Sequence, residues 1–440
     1  MRVNEYALLA LLATPAILFL AYSLLWLLGW QPKEKPLIRT TQLGGLLMAA
    51  CIILMLGDSF TLKLGDWFSI GEYEFPLVFT VDRLSLSMSA LTVILLGLVA
   101  SFSRRYLHRD AGFFRFVVCM QIFCLGSMLV FFAGSFDIVI GGWELLGLSS
   151  VLLIGYFRER VGPAEAGLRV FATYRFCDIG LLVGVVVIHM KTRTSIFEDL
   201  WGFGTIENAW IPAALIVFAA MGKSAQVPFS GWLPLAMEGP TPTSAIFYGA
   251  ISVHMGAFLL LRSMPLFEQA PMVAYGIVAI GAATAIHGTL VGRAAADAKS
   301  SIAYASLAQL GLIFIEIGLG FPNLALLHII GHSAVRMYEF LRAPSLLHEH
   351  HLMHAAAGGH LAETGSHYKK ILPRAVRLWL YRWAVDRAHM EYIISRYGVR
   401  PLYFVASLYH EVEANWIGGA TKAKKKEVVM RGEVVRGTDG

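Results

Sequence analysis

Charged residues are scarce in this chain. Aspartate, glutamate, lysine and arginine make up 15% of its 440 residues, against about a quarter in a soluble domain. Apolar residues supply 57%, and the mean hydropathy is +0.62. Apolar stretches of roughly 20 residues, the length that crosses a bilayer, recur along the whole sequence. These features exclude a soluble globular enzyme and predict an all-α polytopic membrane protein.

Cysteine is also rare, and the motifs of enzymatic chemistry are missing. The four cysteines lie in apolar segments without the spacing of metal ligands, which is typical of buried core residues. The sequence has no nucleophile constellation, no phosphate-binding glycine loop and no metal-ligand motif. We therefore expect no enzymatic activity of its own, no cofactor and no metal. The net charge of +6 is explained by basic membrane-flanking loops and indicates no nucleic-acid partner.

Eleven candidate transmembrane helices can be traced. They lie near 6–30, 40–57, 84–103, 113–133, 136–157, 166–190, 208–235, 242–263, 271–292, 300–320 and 323–346. The first run is too long for a cleaved signal peptide and lacks a small-residue cleavage site. We therefore interpret it as a retained first helix.

The spans organise the chain into five parts. These are residues 1–83, two helices with an extramembrane hairpin; 84–346, the transmembrane core; 347–371, a histidine-rich cytoplasmic loop; 372–418, amphipathic helices; and 419–440, a charged tail. The hairpin is predicted from strand-like alternation after the second span. The histidines of the loop show no ligand spacing with a carboxylate or a cysteine, so a solvated loop is preferred to a metal site.

The amphipathic segment begins with a helix that has one apolar face. Leu372, Val376, Trp379, Leu380 and Trp383 share that face. Arginines occupy the remaining surface of the same helix. This pattern is typical of a helix in the headgroup plane or docked along a partner.

Basic residues in the short loops indicate the orientation. They concentrate on one side, where the loops contain Lys33, Lys35, Arg39, Arg104, Arg105, Arg109, Arg115, Arg158, Arg160, Arg169, Arg293 and Lys299. The positive-inside rule makes that side cytoplasmic. We therefore expect a multi-pass protein of the bacterial inner membrane, with the N-terminus outside and the C-terminus cytoplasmic.

Lys223 follows a long apolar run and precedes Pro228 by five positions. Proline removes a backbone donor and clashes with the preceding turn, so the seventh span is predicted to break between these residues. A broken membrane helix is tolerated where its free backbone groups are buried in protein or face water. An ammonium beside such a break is a candidate proton carrier, although a snorkelling or salt-bridged lysine is the structural alternative.

Other charges at membrane depth favour an ion pathway, because they are costly there. Glu144 lies in the middle of the fifth span and requires a cationic partner or a proton. Arg175 and Asp178, three apart on the sixth span, are predicted to form a structural ion pair. The later spans add further polar residues at membrane depth: His254, His287, His328, His332 and Arg336. The last three are spaced at i, i+4 and i+8, so they lie along one stripe of a helix.

These segments resemble a known superfamily. They are "GGWELLGLSSVLLIGYF", "YRFCDIG", "GKSAQVPFSGWLPLAMEGPTPTSA", "DAKSSIAYASLAQLGLIF" and "LLHIIGHSAVR". They are similar to the proton-translocating antiporter-like subunits, a superfamily that includes the large membrane subunits of respiratory complex I and of Mrp-type antiporters. The resemblance covers roughly residues 80–350.

The resemblance implies roles for several residues. Glu144 matches the essential glutamate of the family, and Lys223 matches the lysine of the broken helix. His328 and His332 match the paired histidines. Lys299 in the segment "DAKSSIAYASLAQLGLIF" and His254 in the middle of the eighth span are further candidate ion-translocation residues.

Two departures from the family pattern are visible. Arg336 stands where the family has lysine, and arginine retains its proton at physiological pH. The family's further broken helix, with a second lysine, has no counterpart after residue 346. A narrower resemblance follows from "LRAPSLLHEHH" and "WAVDRAHMEYIISRYGVRPLYF", which are similar to the membrane subunit of Dab-type inorganic-carbon pumps.

That narrower resemblance implies a function and a partner. The partner is a large peripheral zinc-containing DabA-like subunit on the cytoplasmic face. Translocation of H+ or Na+ through the present chain would then drive carbonic-anhydrase-like hydration of CO2 in the partner. Membrane lipid is the other expected contact.

Two alternatives remain. The first is a proton-pumping module of a complex I-like redox assembly, which requires quinone-reducing and iron–sulfur partners. The second is a non-conducting membrane anchor for a peripheral enzyme.

Overall fold

The computed structural model describes residues 2–70, 73–202, 204–356, 371–389, 392, 396–397 and 400–417. The first half contains, in chain order, α1 Val3–Leu27, α2 Glu34–Leu54, β1 Phe60–Ile70, β2 Tyr73–Val81, α3 Arg83–Tyr106, α4 Phe113–Phe132, α5 Phe136–Ile154, α6 Val161–Thr192 and α7 Phe197–Gly202. The six long helices are all apolar enough to cross a membrane.

The second half contains shorter pieces and then long helices again. These are α8 Trp210–Lys223, α9 Trp232–Leu235, α10 Thr241–Thr243, α11 Met255–Arg262, α12 Met264–Glu268, α13 Pro271–Gly292, α14 Ala298–Gly318, α15 Pro322–Ala356, α16 Arg374–Val385 and α17 Arg400–Ile417. Within the described ranges, nine helical segments meet the length and hydropathy of a membrane span, and α8 is a shorter apolar helix. The prediction of an all-α polytopic membrane protein is confirmed.

The strands form an antiparallel hairpin in the segment where alternation predicts one. Its register runs from Phe60 opposite Val81 to Ile70 opposite Tyr73. The chain leaves β2 directly into α3 through Asp82, whose carboxylate accepts from the backbone N–H of Ser85 at 2.8 Å. Asp82 thus caps α3 in the way expected of an aspartate before a helix.

Helix α8 ends at Lys223, and the next helical turn is the 3₁₀ turn Phe229–Gly231 after Pro228. The predicted break of the seventh span is confirmed. Backbone groups released by the break find partners inside the protein. The N–H of Val227 donates to Thr284 Oγ1 at 3.0 Å, and the indole of Trp232 donates to the carbonyl of Gly222 at 2.9 Å. The break is therefore tolerated because its polar groups are satisfied.

Glycines bring α8 into close contact with the helices on both sides. A Cβ atom at Gly222 would overlap the side chain of Cys177 on α6, and one at Gly256 on α11 would overlap the carbonyl of Ala220. Only glycine permits backbones to approach so closely. The Lys223 end of α8 is thereby held between α6 and α11.

The segment from 241 to 262 is one continuous helical span of mixed geometry. Between α10 and α11 it contains a π-helical stretch, Ser244–Ala250, and a 3₁₀ turn, Ser252–His254. Residues 241–261 are all buried. Widened turns of this kind occur frequently at functional sites.

Helix α15 is longer than the span predicted at 323–346. It continues to Ala356, so the first part of the loop expected at 347–371 is helical. The physical reason lies in the sequence, since no glycine occurs in the histidine-rich stretch before Gly358 and Gly359. Residues 357–370 and the predicted tail at 419–440 lie outside the described residues.

The amphipathic segment predicted at 372–418 contains α16 and α17. Trp383 of α16 lies against His287 of α13, with ring centroids 5.6 Å apart, and Ala384 is buried. Trp379 is 62% exposed although it belongs to the predicted apolar face. Helix α16 therefore packs on α13 through Trp383. Of the rest of that face, Leu372 and Leu380 are half-buried, whereas Val376 and Trp379 are exposed.

Candidate ion-translocation site

Two ion pairs share one arginine between α5 and α6. Arg175 forms ion pairs with Glu144 and with Asp178, and its Nη2 lies 2.7 Å from Asp178 Oδ2. The indole N–H of Trp143 donates to the other Asp178 oxygen at 2.5 Å. The spacing of three residues on α6 predicts the Arg175–Asp178 contact. The bond from Arg175 to Glu144 supplies the cationic partner that this carboxylate requires.

Lys223 is 1% exposed and lies beside these pairs without joining them. Its Nζ donates to the main-chain carbonyl of Trp143 at 3.2 Å. It also lies 4.3 Å from the ring centroid of Tyr174 and 5.3 Å from that of Trp143. Over the part of the chain that the structure describes, no carboxylate lies within ion-pair distance of Lys223. Cation–π and carbonyl contacts hold the ammonium instead.

Gly147 makes the space for that ammonium. A Cβ atom at Gly147 would lie 2.7 Å from Lys223 Nζ. Any larger residue on this face of α5 would displace the lysine. The sequence leaves the cationic partner of Glu144 open. The structure assigns that role to Arg175, whose guanidinium bridges α5 and α6 with two donors.

A histidine pair connects the 3₁₀ turn Ser252–His254 to α15. His254 Nε2 lies 2.9 Å from His332 Nδ1, and Arg336 Nε donates to His332 Nε2 at 3.2 Å. Since arginine only donates, the Nε2 of His332 is an acceptor and its Nδ1 carries the proton when the ring is neutral. His254 then accepts at Nε2 and donates from Nδ1 to the carbonyl of Ala250. Arg336 thus fixes the tautomers of both rings.

The other end of the histidine row is anchored on α14. His328 contacts Glu316 Oε1 through Nδ1 at 2.8 Å and Gln309 Oε1 through Nε2 at 3.1 Å. Its ring centroid lies 6.2 Å from that of His332. Sequence reasoning missed Glu316. It lies in the apolar run "LIFIEIG", and the argument applied to Glu144 identifies it equally well.

Lys223 and the His254–His332 pair lie on segments that contact each other. Ser224, which follows Lys223, donates to the carbonyl of Val253, which precedes His254, at 2.6 Å. Tyr248 also links the two regions, since its hydroxyl lies 3.0 Å from Ser150 Oγ on α5. These side chains were not predicted, because an isolated serine or tyrosine in an apolar run gives no sequence signal.

Lys299 and His287 contact other parts of the chain between α8 and α10. Lys299 Nζ donates to the carbonyls of Met237 and Gly239 at 3.4 and 3.3 Å, in the segment that follows α9. His287 Nε2 lies 3.1 Å from Ser230 Oγ. Within the described ranges, no group of three histidine, cysteine or carboxylate side chains has the geometry to hold a metal ion.

A polytopic helical bundle with a broken span, a buried lysine and paired intramembrane histidines defines an antiporter-like membrane subunit. Residues 133–369 match the family described as "NADH:quinone oxidoreductase/Mrp antiporter, TM". Residues 67–117 match "NADH-Ubiquinone oxidoreductase (complex I), chain 5 N-terminus". The first match covers more than half of the chain, and the protein belongs to this family.

Curated relatives agree with this assignment. The chain is 34% identical over 300 residues to NAD(P)H-quinone oxidoreductase chain 5 of Picosynechococcus sp., covering 66% of this chain and 45% of the relative. It is 33% identical over 307 residues to NADH-quinone oxidoreductase subunit L of Campylobacter jejuni, covering 69% and 51%. The chain therefore spans about half the length of these relatives.

Solved structures show the same fold. The Mrp complex from Dietzia sp. superposes with a TM-score of 0.64 at 25% identity, over 77% of this chain and 37% of the other. An archaeal membrane-bound sulfane sulfur reductase superposes with a TM-score of 0.67 at 20% identity, over 76% and 70%. At that identity the second likeness concerns the fold alone.

Proposed function

We propose that this chain translocates protons as one membrane subunit of an energy-coupled assembly. The observation that carries the proposal is the buried Lys223 ammonium. It lies at a helix break, beside the Glu144–Arg175–Asp178 ion pairs and adjacent to the His254–His332 pair. Ionisable groups at membrane depth are costly and usually mark ion paths.

The contacts of Lys223 suit proton exchange. An ammonium held by a carbonyl and two aromatic faces has, among the residues that the structure describes, no partner carboxylate that would fix its charge. Its protonation therefore responds to the neighbouring Glu144 and Asp178, which Arg175 alone neutralises directly. The Lys223 ammonium and the Arg175 guanidinium offer no lone pair to a metal cation, and their positive charge opposes one. This chemistry favours H+ over Na+.

The histidine pair supplies the second part of the route. His254 and His332 share a hydrogen bond, and imidazoles exchange protons near neutral pH. Arg336 retains its own proton and donates to His332. We therefore assign Arg336 the role of fixing tautomers and setting the local field, and not that of a relay.

The exposure of the ion pair supports a neighbouring subunit. The side chains of Arg175 and Glu144 are 32% and 35% exposed near the middle of α5 and α6. Charged groups that face lipid at this depth carry a large free-energy cost. A second membrane subunit against this surface would remove it. The names of the curated relatives favour a proton-pumping module of a quinone-oxidoreductase-like assembly.

A second candidate is the inorganic-carbon pump, supported by the C-terminal segment. Helices α16 and α17 lie beyond residue 369, where the family match ends. Residues 383–404 include the part that resembles Dab-type membrane subunits. In this version, α16 docks the zinc-containing DabA-like peripheral subunit, and proton flow drives CO2 hydration there.

One experiment separates the candidates. A tagged full-length chain is purified from native membranes, and its partners are identified by mass spectrometry and metal analysis. Quinone-reducing and iron–sulfur subunits would establish the redox module. A single large zinc protein would establish the carbon pump and exclude the redox assembly.

Translocation itself is measured on the same assembly in inverted membrane vesicles, with a pH-sensitive dye. The Lys223→Ala assembly is expected to lose at least tenfold in coupled proton movement. Lys63→Ala, an exposed hairpin residue, serves as the matched control. An intact Lys223→Ala assembly with normal proton movement would leave the anchor hypothesis as the explanation.

A further inference from the structure

A recessed cavity opens between the first four helices, apart from the charged groups of α5, α6 and α8. Its volume is about 470 Å³. Its walls come from Leu18 of α1, residues between 38 and 49 of α2, residues between 93 and 100 of α3, and residues between 116 and 124 of α4. Most of this lining is apolar. The cavity therefore suits an apolar occupant.

The depth of the cavity corresponds to one leaflet. On α2 the lining runs from Ile38 to Ala49, a rise of roughly 16 Å at 1.5 Å per residue. The hydrocarbon core of a bilayer is about 30 Å thick. An extended acyl chain from one leaflet has the same reach as this cavity.

Polar groups lie only at the end near the start of α2. Gln42 donates to Ser101 Oγ at 2.8 Å, and Gln121 lies with its amide 3.4 Å from Thr41 Oγ1. The remaining lining, toward Ala49, is apolar. The cavity thus has the polarity gradient of a lipid, with hydrogen-bonding groups at the depth of the glycerol esters.

Basic residues lie about one helical turn beyond that polar end. Arg39 precedes Gln42 by three residues, and Arg104 and Arg105 follow Ser101 by three and four. Arg39 and Arg105 are exposed. Across the described chain, none of the three arginines forms an ion pair with a carboxylate. Glu34 at the start of α2 lies close enough to interact with the charge of Arg104. The positive charge at the mouth therefore rests mainly on the exposed Arg39 and Arg105, where a phosphate headgroup would lie.

Two glycines keep the cavity wide. A Cβ atom at Gly45 on α2 or at Gly97 on α3 would meet no atom within 4 Å. Both residues line the cavity. Larger side chains at these positions would enter the space without a clash against protein.

We propose that this cavity is a binding site for an anionic phospholipid of the leaflet on the basic side. One acyl chain occupies the space between α1, α2, α3 and α4, and the phosphate is held by Arg39, Arg104 and Arg105. The match of depth, polarity gradient and charge distinguishes this site from ordinary lipid-facing helix surface. The inference does not depend on which ion the protein translocates.

The test uses the detergent-purified full-length chain and native mass spectrometry. Phosphatidylglycerol and phosphatidylcholine are added separately, and the bound fraction is measured against concentration. We expect the apparent dissociation constant for phosphatidylglycerol to be at least tenfold lower. Gly97→Leu is expected to weaken the binding of both lipids, since its side chain fills the cavity. Gly45→Leu repeats this test from α2.

The charge is tested by changing Arg39, Arg104 and Arg105 together to glutamine. This variant is expected to lose the preference for phosphatidylglycerol and to bind both lipids equally. Gly276→Leu, at an open position on α13, and the Arg158→Gln/Arg160→Gln pair serve as controls that leave binding unchanged. Binding that the cavity variants do not alter would overturn the site. Equal affinity of the wild type for both lipids would overturn its anionic specificity. A helix of another subunit cross-linked at residue 97 in native membranes would show a protein occupant instead.

Discussion

Lys223 donates its hydrogen bond to the carbonyl of Trp143, the residue immediately before Glu144. The lysine at the helix break and the glutamate of α5 are thus connected through the backbone of α5, while Arg175 forms the direct ion pair with Glu144. A change in the charge of either ionisable group acts on the same short stretch of helix.

Gly147→Ala is expected to abolish proton movement in an assembly that still forms. The added methyl would lie 2.7 Å from Lys223 Nζ and displace the ammonium from Trp143 and Tyr174. Gly141→Ala is the matched control, since it lies on the same helix and its Cβ meets no atom within 4 Å. Dye-quenching assays on inverted vesicles measure both variants. Equal rates for the two would show that the position of the lysine is not critical.

Glu144→Gln is expected to remove coupled ion movement although it preserves shape and most hydrogen bonding. Among the described residues, the neutral amide leaves Arg175 with Asp178 as its one carboxylate partner, and it changes the field at Lys223. The same assay, with the amount of assembled complex verified by immunoblot, measures the effect. Full activity of this variant would end the conduction hypothesis.

The double variant His328→Gln/His332→Gln should also lose most of the coupled proton movement in the vesicle assay. Amides form hydrogen bonds but do not exchange protons at neutral pH. A protonophore should reproduce the loss in the wild type. A non-conducting anchor predicts indifference to both treatments as long as the complex assembles.

Asp82→Ala is expected to destabilise the protein by about 1–3 kcal/mol, since Asp82 both caps α3 and pairs with Arg262. Burial alone would raise the pKa of Asp82, but the charge and hydrogen bonds of Arg262 and the bonds to Ser85 outweigh it and lower the pKa. This stabilisation is therefore present above the unfolded pKa of about 3.9 and is lost as pH falls through the lower folded value.

Thermal unfolding of the purified protein as a function of pH measures this contribution of Asp82. Asp199→Ala is the control, because its pairing with Lys63 is long, at 3.9 Å, and exposed. It should change stability by less than about 1 kcal/mol. An equal loss of stability in the two variants would contradict the assigned role of Asp82.

Deletion of residues 372–418 is expected to release a peripheral partner while the membrane part still inserts. The exposed part of the apolar face of α16, Val376 and Trp379, is the surface available for docking. A pull-down with quantitative mass spectrometry measures the stoichiometry. Trp379→Ala should weaken retention without disturbing the contact of Trp383 with His287. Retention of the partner at normal stoichiometry after the deletion would show that residues 372–418 do not dock it.

Much of the membrane architecture could be predicted because bilayer length and hydropathy constrain helices strongly. The break after Lys223 was predictable because proline acts locally on the backbone. The length of α15 was not, since polar histidines continue a helix as readily as they form a loop. The partner of Glu144 was also beyond the sequence, because the packing of α5 on α6 decides whether arginine or lysine reaches it. Lys223 is held by aromatic faces, and these give no periodic signal.

The close contacts of Gly222 and Gly256 constrain how the break can move. Translation of α8 along its axis would drive a side chain of α6 or α11 into the backbone of α8, because neither interface has spare width. The Lys223 end of α8 is therefore the stationary part of the break. Rearrangement during a transport cycle is left to rotation of the lysine side chain and to the short turns between Pro228 and α10. In the transport cycle proposed above, Lys223 would therefore move by rotation of its side chain, without displacement of α8.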